Sequence, residues 1–189
     1  MTHSAPAAPT PHRFTRQEYH RLAESRLLAD ERVELLDGVI ITMSPQNSPH
    51  AATIHRLLFT LLPVVGNAAY IRVQAPIVLN DWSEPEPDIV ICQPDPTDYA
   101  QHHPRADQVM VVIEVADSSL VYDQGQKARA YAASGIPEYW VVNLADRTVA
   151  ILTSPSRDQY QHEQVKGEDD TVLPPGGQAI TVSAILPPQ

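Results

Sequence analysis

Cysteine is nearly absent from this sequence, since Cys92 is the only one among 189 residues. A lone cysteine excludes an internal disulfide and any zinc site built from cysteines. Basic residues are also scarce, because 13 Lys and Arg face 23 Asp and Glu and give a formal charge of −10. This balance argues against a protein that coats nucleic acid by bulk electrostatic attraction, which requires Lys and Arg to neutralise phosphates.

Several common catalytic motifs are missing as well. The sequence contains no GxGxxG or GxxxxGK[ST] phosphate loop, no GxSxG nucleophile elbow and no HExxH pair, so nucleotide-dependent, serine-hydrolase and zinc-protease chemistries lack support. No run approaches the ~20 apolar residues that span a bilayer, and the N-terminus lacks the apolar core of a signal peptide. We therefore expect a cytoplasmic protein in which residues 1–13 form a disordered leader.

Proline is abundant instead, with 18 prolines against 7 glycines, and it predicts many extended joints between elements. Three helices are predicted, at 15–28, 51–62 and 123–134. The first begins with a capping box formed by Thr15 and Glu18. The second is expected to end at Pro63, and the third to be capped by Asp123.

Strands are predicted on both sides of a hairpin turn at Asp37-Gly38, and then at 70–79, 88–92, 109–115, 138–144, 148–153 and 159–166. The runs at 88–92 and 109–115 are almost wholly apolar, as is typical of buried central strands. Cys92 is expected to be a small core residue of one of them. With no repeat or internal boundary, we predict one α+β domain over 14–189, a central sheet with flanking helices.

Three acidic residues interrupt these strands: Glu34 within 33–36, Asp88 directly after Pro87, and Glu114 within 109–115. A carboxylate in a buried strand is costly unless it is paired or bound to a metal. Three carboxylates brought together would also repel one another. The pattern therefore favours a hard, oxygen-preferring cation such as Mg²⁺.

Each of these residues also has a simpler interpretation. Glu34 could face solvent on an edge strand, and Asp88 could be a turn residue that begins a strand. Lys127, one of two lysines, could pair with Asp123 on one helix face. The order of the residues is more informative than any one of them: an acid, then Pro-Asp, then an acid in an apolar strand, then a lysine.

That order resembles the PD-(D/E)XK nuclease superfamily. More closely, the chain resembles the Uma-type putative restriction endonuclease family, over roughly Phe14 to Leu186. The matching segments are Glu34-Leu-Leu-Asp-Gly38, Met43-Ser-Pro45 followed by His50, Glu86-Pro-Asp88-Ile-Val, Val112-Ile-Glu-Val-Ala-Asp-Ser-Ser119, Asp123 to Lys127, Tyr131, and Gly135-Ile-Pro-Glu-Tyr-Trp-Val-Val142.

The resemblance implies a restriction-endonuclease-like core, an α/β sandwich with a mixed central β-sheet flanked by helices. It also implies that Asp88 and Glu114 are the principal metal ligands, with the backbone carbonyl of Val115 as a further ligand and Glu34 as an additional acid. The superfamily usually places its lysine two residues after the second acid, where this chain has Ala116. Lys127 resembles the lysine of members in which that residue has moved to the following helix.

A second departure is Asn143, at a position where family members often carry Asp. His50 either approaches the site from the start of the second helix or is a capping or surface histidine. Tyr131 lies four residues after Lys127, and packing of the helix onto the sheet explains it.

The function expected from this resemblance is Mg²⁺-dependent endonucleolytic hydrolysis of DNA phosphodiester bonds, with Mn²⁺ as a substitute. The alternative is a non-catalytic module that uses the same fold to bind nucleic acid or protein.

The distribution of basic residues bears on substrate contacts, and the C-terminal strands bear on assembly. Five of the 13 basic residues lie in the first 32 positions, and they are Arg13, Arg16, Arg21, Arg26 and Arg32. With His12 and His20 they form either a phosphate-facing patch near Glu34 or a solvated amphipathic helix. Edge strands near the C-terminus, together with Trp140, allow a homodimer.

Overall fold

The chain, which a computed structural model describes from residue 10 to residue 188, has most of its helices before Glu138 and an uninterrupted series of strands from Glu138 to Thr181. The strands are β1 (Val33–Leu36), β2 (Val39–Thr42), β3 (Tyr70–Val73), β4 (Ile89–Cys92), β5 (Val109–Ala116), β6 (Glu138–Asn143), β7 (Thr148–Ser156), β8 (Gln159–Lys166), β9 (Thr171–Val172) and β10 (Ile180–Thr181). The helices are α1 (Arg16–Glu24), α2 (Ser48–Val65), α3 (Leu120–Tyr122), α4 (Ala128–Ala133) and α5 (Val182–Ile185). A π-helical turn, Asp123–Lys127, joins α3 to α4. Most of the predicted leader, 1–13, lies outside the described residues.

The central sheet has six strands in the order β3-β4-β5-β6-β7-β8, and two short hairpins, β1-β2 and β9-β10, stand beside it. Neighbouring strands of the sheet are antiparallel except β5 and β6, which are parallel, with Glu114 opposite Val141. A parallel pair needs a crossover connection, and the helical stretch 120–133 provides it. The predicted α+β fold with a mixed central sheet is confirmed.

Alternating residues of the central strands form two hydrophobic cores, one on each face of the sheet. On one face, α2 and α5 pack against Ile89, Ile91, Val111, Ile113, Val115 and Trp140. On the other face, Leu36 of β1 and Tyr131 of α4 pack with Val90, Cys92, Val112, Tyr139 and Val141. Cys92 is a buried core residue, as predicted. Because side chains alternate along a strand, Glu114 points to the face covered by α4.

The hairpin of β1 and β2 has the two-residue turn that its sequence predicts. Asp37 and Gly38 have φ angles of 50° and 76°, which is the left-handed pair that a two-residue type I′ turn requires. The capping box of Thr15 and Glu18 is also present at the start of α1. However, α1 ends at Glu24 and not at residue 28. It buries no side chain, so little packing favours its extension past Arg26, which has a φ of 61°.

Two other helix boundaries differ from the sequence predictions. Helix α2 begins at Ser48 and continues through Pro63 to Val65, because the burial of Leu61 and Val65 outweighs the one backbone hydrogen bond that proline removes. The third helix begins at Leu120, and Asp123 has helical backbone angles. Asp123 is therefore an internal residue and not the predicted cap.

The predicted strand at 70–79 is shorter in the structure, because Gln74 adopts a φ of 47° and ends β3. Trp140 is fully buried, so it offers no surface to a second copy of the chain, and dimerisation stays a prediction. Within residues 10–188, no helix has both the length and the apolar character needed to cross a membrane.

Candidate functional site

A cavity of about 320 Å³ opens between the first hairpin, the start of α2, the end of β5 and the π turn. The side chains predicted from the sequence all line it, and they are Glu34, Asp88, Glu114 and Lys127. Val115, whose carbonyl is expected to be a further ligand, lines the same cavity. The structure thus brings the five predicted positions to one place.

The pairing of β4 with β5 places the two central acids side by side. Ile89 lies opposite Ile113 in the antiparallel ladder, so Asp88, the residue before β4, is adjacent to Glu114. The backbone N–H of Asp88 donates to Glu114 Oε2 over 3.4 Å. In return, the N–H of Val115 donates to Asp88 Oδ2 over 2.9 Å. Two backbone groups therefore fix the relative positions of the two carboxylates.

Lys127 reaches Glu114 from the π turn. Its Nζ lies 2.8 Å from Glu114 Oε1 and 3.5 Å from Glu34 Oε1. The Tyr131 hydroxyl donates to the same Glu114 oxygen over 2.7 Å. Glu114 is 3% exposed and Lys127 is 5% exposed, so the pair is buried. Lys127 therefore pairs with Glu114 and Glu34, while the Asp123 side chain accepts a hydrogen bond from Ser119.

Burial and neighbouring charges shift the pKa values of these groups in opposite directions. Burial raises the pKa of Glu114 to about 8, although the ammonium of Lys127 acts to lower it. Burial also raises the pKa of Asp123 to about 6. For Lys127, burial would lower the pKa, but the carboxylates of Glu114, Glu34 and Asp123 raise it well above its usual range. The acids around Lys127 therefore favour its charged form.

Glu34 is almost fully buried, with 1% of its surface exposed, so it does not face solvent on an edge strand. The backbone N–H of Glu86 donates to its Oε2 over 3.1 Å. The hydroxyl of Tyr122 donates to its Oε1 over 3.2 Å. These contacts hold Glu34 on the hairpin side of the cavity, where it faces Lys127.

Asp88 is 8% exposed and is held by two side chains besides the backbone of Val115. His50 Nε2 lies 3.1 Å from Asp88 Oδ2, and Gln74 Nε2 donates to Asp88 Oδ1 over 3.2 Å. Burial alone would raise the pKa of Asp88, but the hydrogen bonds and the charge of His50 lower it below the usual value. His50 thus approaches the site, and its buried Nδ1 has no hydrogen-bond partner among the described residues.

Sequence reasoning missed four of these contacts, those of Gln74, Tyr122, Asp123 and Tyr131. Tyr131 follows Lys127 by four residues, which places both on one helix face, and that spacing could have indicated a shared contact. Tyr131 does more than pack the helix, because its hydroxyl binds Glu114. No local pattern indicates Gln74, whose contact with Asp88 depends on the pairing of two strands.

The donor atoms in the cavity match a hard cation. Glu114 Oε2 and Asp88 Oδ1 are carboxylate oxygens whose only hydrogen bonds with the described part of the chain are the long ones of 3.4 and 3.2 Å. Among residues 10–188, no three His, Cys, Asp or Glu side chains form a ready-made metal site. Mg²⁺ is commonly held by one or two carboxylates together with substrate phosphates and water, so two carboxylates fit such an ion.

The basic residues near the N-terminus pair largely with acids and backbone groups. Arg16 and His20 contact Glu84, and Arg32 lies 3.8 Å from Glu86. Arg13 donates to the backbone oxygen of Asp37 and is exposed. Arg21 and Arg26 are exposed and form no ion pair among the described residues, so a phosphate-facing patch near Glu34 stays a prediction.

Asn143 has a structural contact outside the cavity. Its side chain donates to Asp146 Oδ2 and accepts from the Asp146 backbone N–H, over 2.9 and 3.1 Å. Asn143 therefore stabilises the turn between β6 and β7.

Comparison with known proteins agrees with this fold. The structure is similar to the crystal structure of a putative nuclease belonging to DUF820 from Anabaena variabilis, with a TM-score of 0.67 and 16% sequence identity, over 91% of this chain and 97% of that chain. At this identity the likeness shows the fold. No curated protein matches the sequence significantly. The sequence matches the Uma2 family, described as "Putative restriction endonuclease", over residues 16–184. That match spans most of the sequence, and the chain therefore belongs to the Uma2 family.

Proposed function

We propose that this protein is a metal-dependent endonuclease that hydrolyses DNA phosphodiester bonds. The observation that carries the proposal is the buried Lys127 ammonium, held 2.8 Å from Glu114 in a cavity that Asp88 also lines. A fixed cation beside two carboxylates suits a reaction in which negative charge develops on a phosphate. Membership of a family described as restriction endonucleases supports the same reaction class.

Asp88 Oδ1 and Glu114 Oε2 would hold Mg²⁺ or Mn²⁺, with the backbone carbonyl of Val115 as a further oxygen ligand and Glu34 as an additional acid. When bound, such an ion polarises the phosphate and lowers the pKa of a bound water. The donor set contains only oxygen atoms, which Mg²⁺ prefers.

Lys127 would donate hydrogen bonds to a non-bridging oxygen of the phosphate as negative charge develops there. Glu114 and Glu34 keep its ammonium charged and in place. The Tyr131 and Tyr122 hydroxyls hold those two acids, so the ammonium does not have to reorganise when substrate enters. His50 and Gln74 fix the orientation of Asp88 from the other side.

The test is a plasmid-nicking assay with Mg²⁺ or Mn²⁺. Asp88→Asn, Glu114→Gln and Lys127→Met each remove a charge with little change of shape. Each is expected to reduce nicking by about 100-fold or more, the loss typical of a group that stabilises transition-state charge. The matched control is Lys166→Met, which changes the only other lysine, at the end of β8, and should leave nicking intact. Circular dichroism checks that each variant is folded.

The alternative, a binding module without catalysis, has one observation in its favour: the described residues contain no ready-made three-ligand metal group. Calorimetric titration of Mn²⁺ distinguishes the two. An endonuclease of this type should bind Mn²⁺, and Glu114→Gln should weaken that binding. A wild-type protein that binds no Mn²⁺ and cuts no DNA would contradict the proposal and favour the binding module.

A further inference from the structure

A second cavity, of about 750 Å³, lies between α1 and the segment 99–108. Of the described residues that line it, five have basic side chains and one is acidic: Arg16, His20, His102, His103 and Arg105 against Asp107. We propose that this cavity binds a phosphate group of the nucleic-acid substrate, away from the bond that is cut. The inference rests on the proposed function and assigns a second contact to its substrate.

The charge of the first cavity does not explain how a polyanion is held. That cavity is lined by six acids against Lys127 and Arg32, and Arg32 lies near Glu86. Affinity for nucleic acid depends on Lys and Arg side chains that neutralise phosphates. The second cavity has the opposite balance among its lining residues, so it supplies phosphate contacts that the first lacks.

Two arginines of the second cavity have unused hydrogen-bond donors. Arg105 is exposed and forms no ion pair within residues 10–188. The Nε of Arg16 contacts Glu84, which leaves the two terminal nitrogens of its guanidinium without a hydrogen-bond partner in the described part of the chain. Guanidinium groups bind phosphate through paired N–H donors. Both side chains are therefore available to a phosphate in the cavity.

His103 adds a third donor, because a contact with Arg72 fixes its tautomer. Arg72 Nη2 lies 3.2 Å from His103 Nδ1. Since arginine can only donate hydrogen bonds, Nδ1 is the acceptor and Nε2 carries the proton. Burial lowers the pKa of His103, Glu84 acts to raise it, and Arg72 adds to the lowering. His103 is therefore a neutral ring at neutral pH, with an N–H donor at Nε2.

The wall formed by Tyr99 is held in an unfavourable conformation. Asp98 and Tyr99 have φ angles of 52° and 57°, in the left-handed region that bulky residues rarely adopt. Asp95 accepts a hydrogen bond from the backbone N–H of Tyr99 over 3.2 Å, and the Arg72 guanidinium lies 5.6 Å from the centre of the Tyr99 ring. The Nε of Arg72 is a buried donor with no partner among the described residues. Strained backbone and unpaired buried donors are both features that concentrate at functional sites.

The segment 84–86 connects the two cavities. Glu84 contacts Arg16 and His20 of the second cavity, and Glu86 lines the first. Two residues of chain span at most about 7 Å, and each strand of a duplex carries one phosphate per ~3.4 Å along the axis. The nearest walls of the two cavities are therefore only a few phosphates apart, and one strand can contact both.

The first experiment measures the binding of a dye-labelled DNA duplex by fluorescence anisotropy at several salt concentrations, in a Glu114→Gln background that prevents cleavage. Arg105→Gln removes one phosphate contact. We expect it to weaken binding about tenfold and to reduce the slope of log affinity against log salt by about 1. His103→Asn keeps an acceptor for Arg72 but removes the Nε2 donor, and it should weaken binding about threefold. The matched control is Arg157→Gln, which changes an exposed arginine that lines neither cavity and should bind DNA as the background does.

The second experiment identifies the source of the phosphate. The NMR signals of the His103 ring nitrogens are followed in the wild-type protein, without divalent cations, as inorganic phosphate or a short DNA oligonucleotide is added. An oligonucleotide contacts several groups at once, so His103 should respond to it at concentrations about 100-fold lower than to inorganic phosphate.

The outcomes separate this inference from the proposed function. If Arg105→Gln and His103→Asn bind DNA with the affinity and salt slope of the Arg157→Gln control, the inference is overturned. A His103 signal that responds only to inorganic phosphate would overturn it as well, because the cavity would then take a free anion. Neither result affects plasmid nicking, which tests the endonuclease separately. Weakened DNA binding in both variants of a protein that nicks no plasmid would support the phosphate site and contradict the endonuclease.

Discussion

Gln74 combines an unfavourable backbone with a contact in the candidate site. Its φ of 47° lies in the left-handed region, which costs a residue with a side chain about 1 kcal/mol or more. Its backbone N–H donates to the Asp88 carbonyl over 3.0 Å, and its amide donates to Asp88 Oδ1. Strained residues of this kind concentrate at functional sites because the surrounding structure holds them in place.

We predict that the backbone of Gln74 lowers the stability of the protein, whereas its side chain strengthens Mn²⁺ binding. Gln74→Gly and Gln74→Ala both remove the amide, but only glycine relieves the backbone, so Gln74→Gly should be more stable than Gln74→Ala by about 1 kcal/mol in urea unfolding. Both variants should lose about tenfold in Mn²⁺ affinity by calorimetry, the lower range for groups that orient a metal ligand.

Arg157 provides the matched control, because its φ is 55° in the turn between β7 and β8. Glycine and alanine at Arg157 should differ in stability in the same direction and leave Mn²⁺ affinity unchanged. If both Gln74 variants bind Mn²⁺ as the wild type does, Gln74 has no role in orienting Asp88.

The sequence was enough to predict the acids of the candidate site, but it did not predict which residues contact them. Glu114 and Asp88 stand out because a carboxylate is out of place in an apolar strand. Gln74 carries no such signal, and His50 was indicated only by the family resemblance, since a histidine near a helix start is ordinary. Their proximity to Asp88 depends on tertiary contacts between segments far apart in sequence.

At the scale of elements, the π turn Asp123–Lys127 replaces the regular helix that the sequence predicts. The wider turn leaves both Asp123 and Lys127 buried and on the cavity, and the Tyr139 hydroxyl donates to the Asp123 carbonyl over 3.1 Å. Single π turns within helices are rare and occur frequently at functional sites. Here the turn brings the lysine from a helix to an acid on a strand.

Gly125 lies within this turn, and we predict that it can be replaced with a gain in stability. A Cβ added there meets no atom within 4 Å, and its φ is not left-handed. Gly125→Ala should therefore raise the free energy of unfolding by about 0.5–1 kcal/mol in urea denaturation.

Gly135 is the contrasting case, because its φ of 76° is left-handed although its surroundings are equally open. Gly135→Ala should destabilise the protein. A loss of stability in Gly125→Ala similar to that in Gly135→Ala would show that the π turn needs glycine.

Helices and strands could be predicted from the sequence where the conformational preferences of neighbouring residues determine them. The hairpin at Asp37 and Gly38 depends on backbone angles that these residues favour, and the capping box of α1 depends on two neighbouring side chains. The ends of α2 and of the third helix were not predictable, because packing against the sheet carries α2 past Pro63 and the site contacts select a π turn.

At the scale of the whole molecule, Glu84 connects α1 to the rest of the fold. It is buried and accepts hydrogen bonds from Arg16 and His20 of α1, while its backbone pairs with Leu35 of β1. Burial would raise the pKa of Glu84, but the contacts with His20 and Arg16 outweigh it and lower the pKa below the usual value.

This shift predicts how stability changes in acid. The folded protein binds the Glu84 proton less readily than the unfolded chain, so stability from Glu84 is complete above the unfolded pKa and is lost as the pH falls through the lower folded pKa. Glu84→Gln should reduce the free energy of unfolding at pH ~7 by about 2 kcal/mol. The difference from wild type should shrink in acid.

Urea unfolding at several pH values measures this difference. Glu163→Gln is the control, because Glu163 is an exposed acid on β8 and should leave the pH dependence as in the wild type. A Glu84→Gln variant whose deficit is the same at neutral and acidic pH would show that its loss comes from packing and not from charge.

The parallel pairing of β5 with β6 also affects how the protein folds. The segment that connects these strands contains Lys127. The same segment therefore positions β6 beside β5 and the ammonium of Lys127 beside Glu114. A complete sheet with this connection detached would leave the apolar side chains of that face, among them Val90, Val112 and Val141, exposed to water, at a cost of roughly 1.5–3 kcal/mol for each. Partly folded forms with a complete sheet and a detached helix are therefore disfavoured, and the sheet and the site should assemble in one cooperative step.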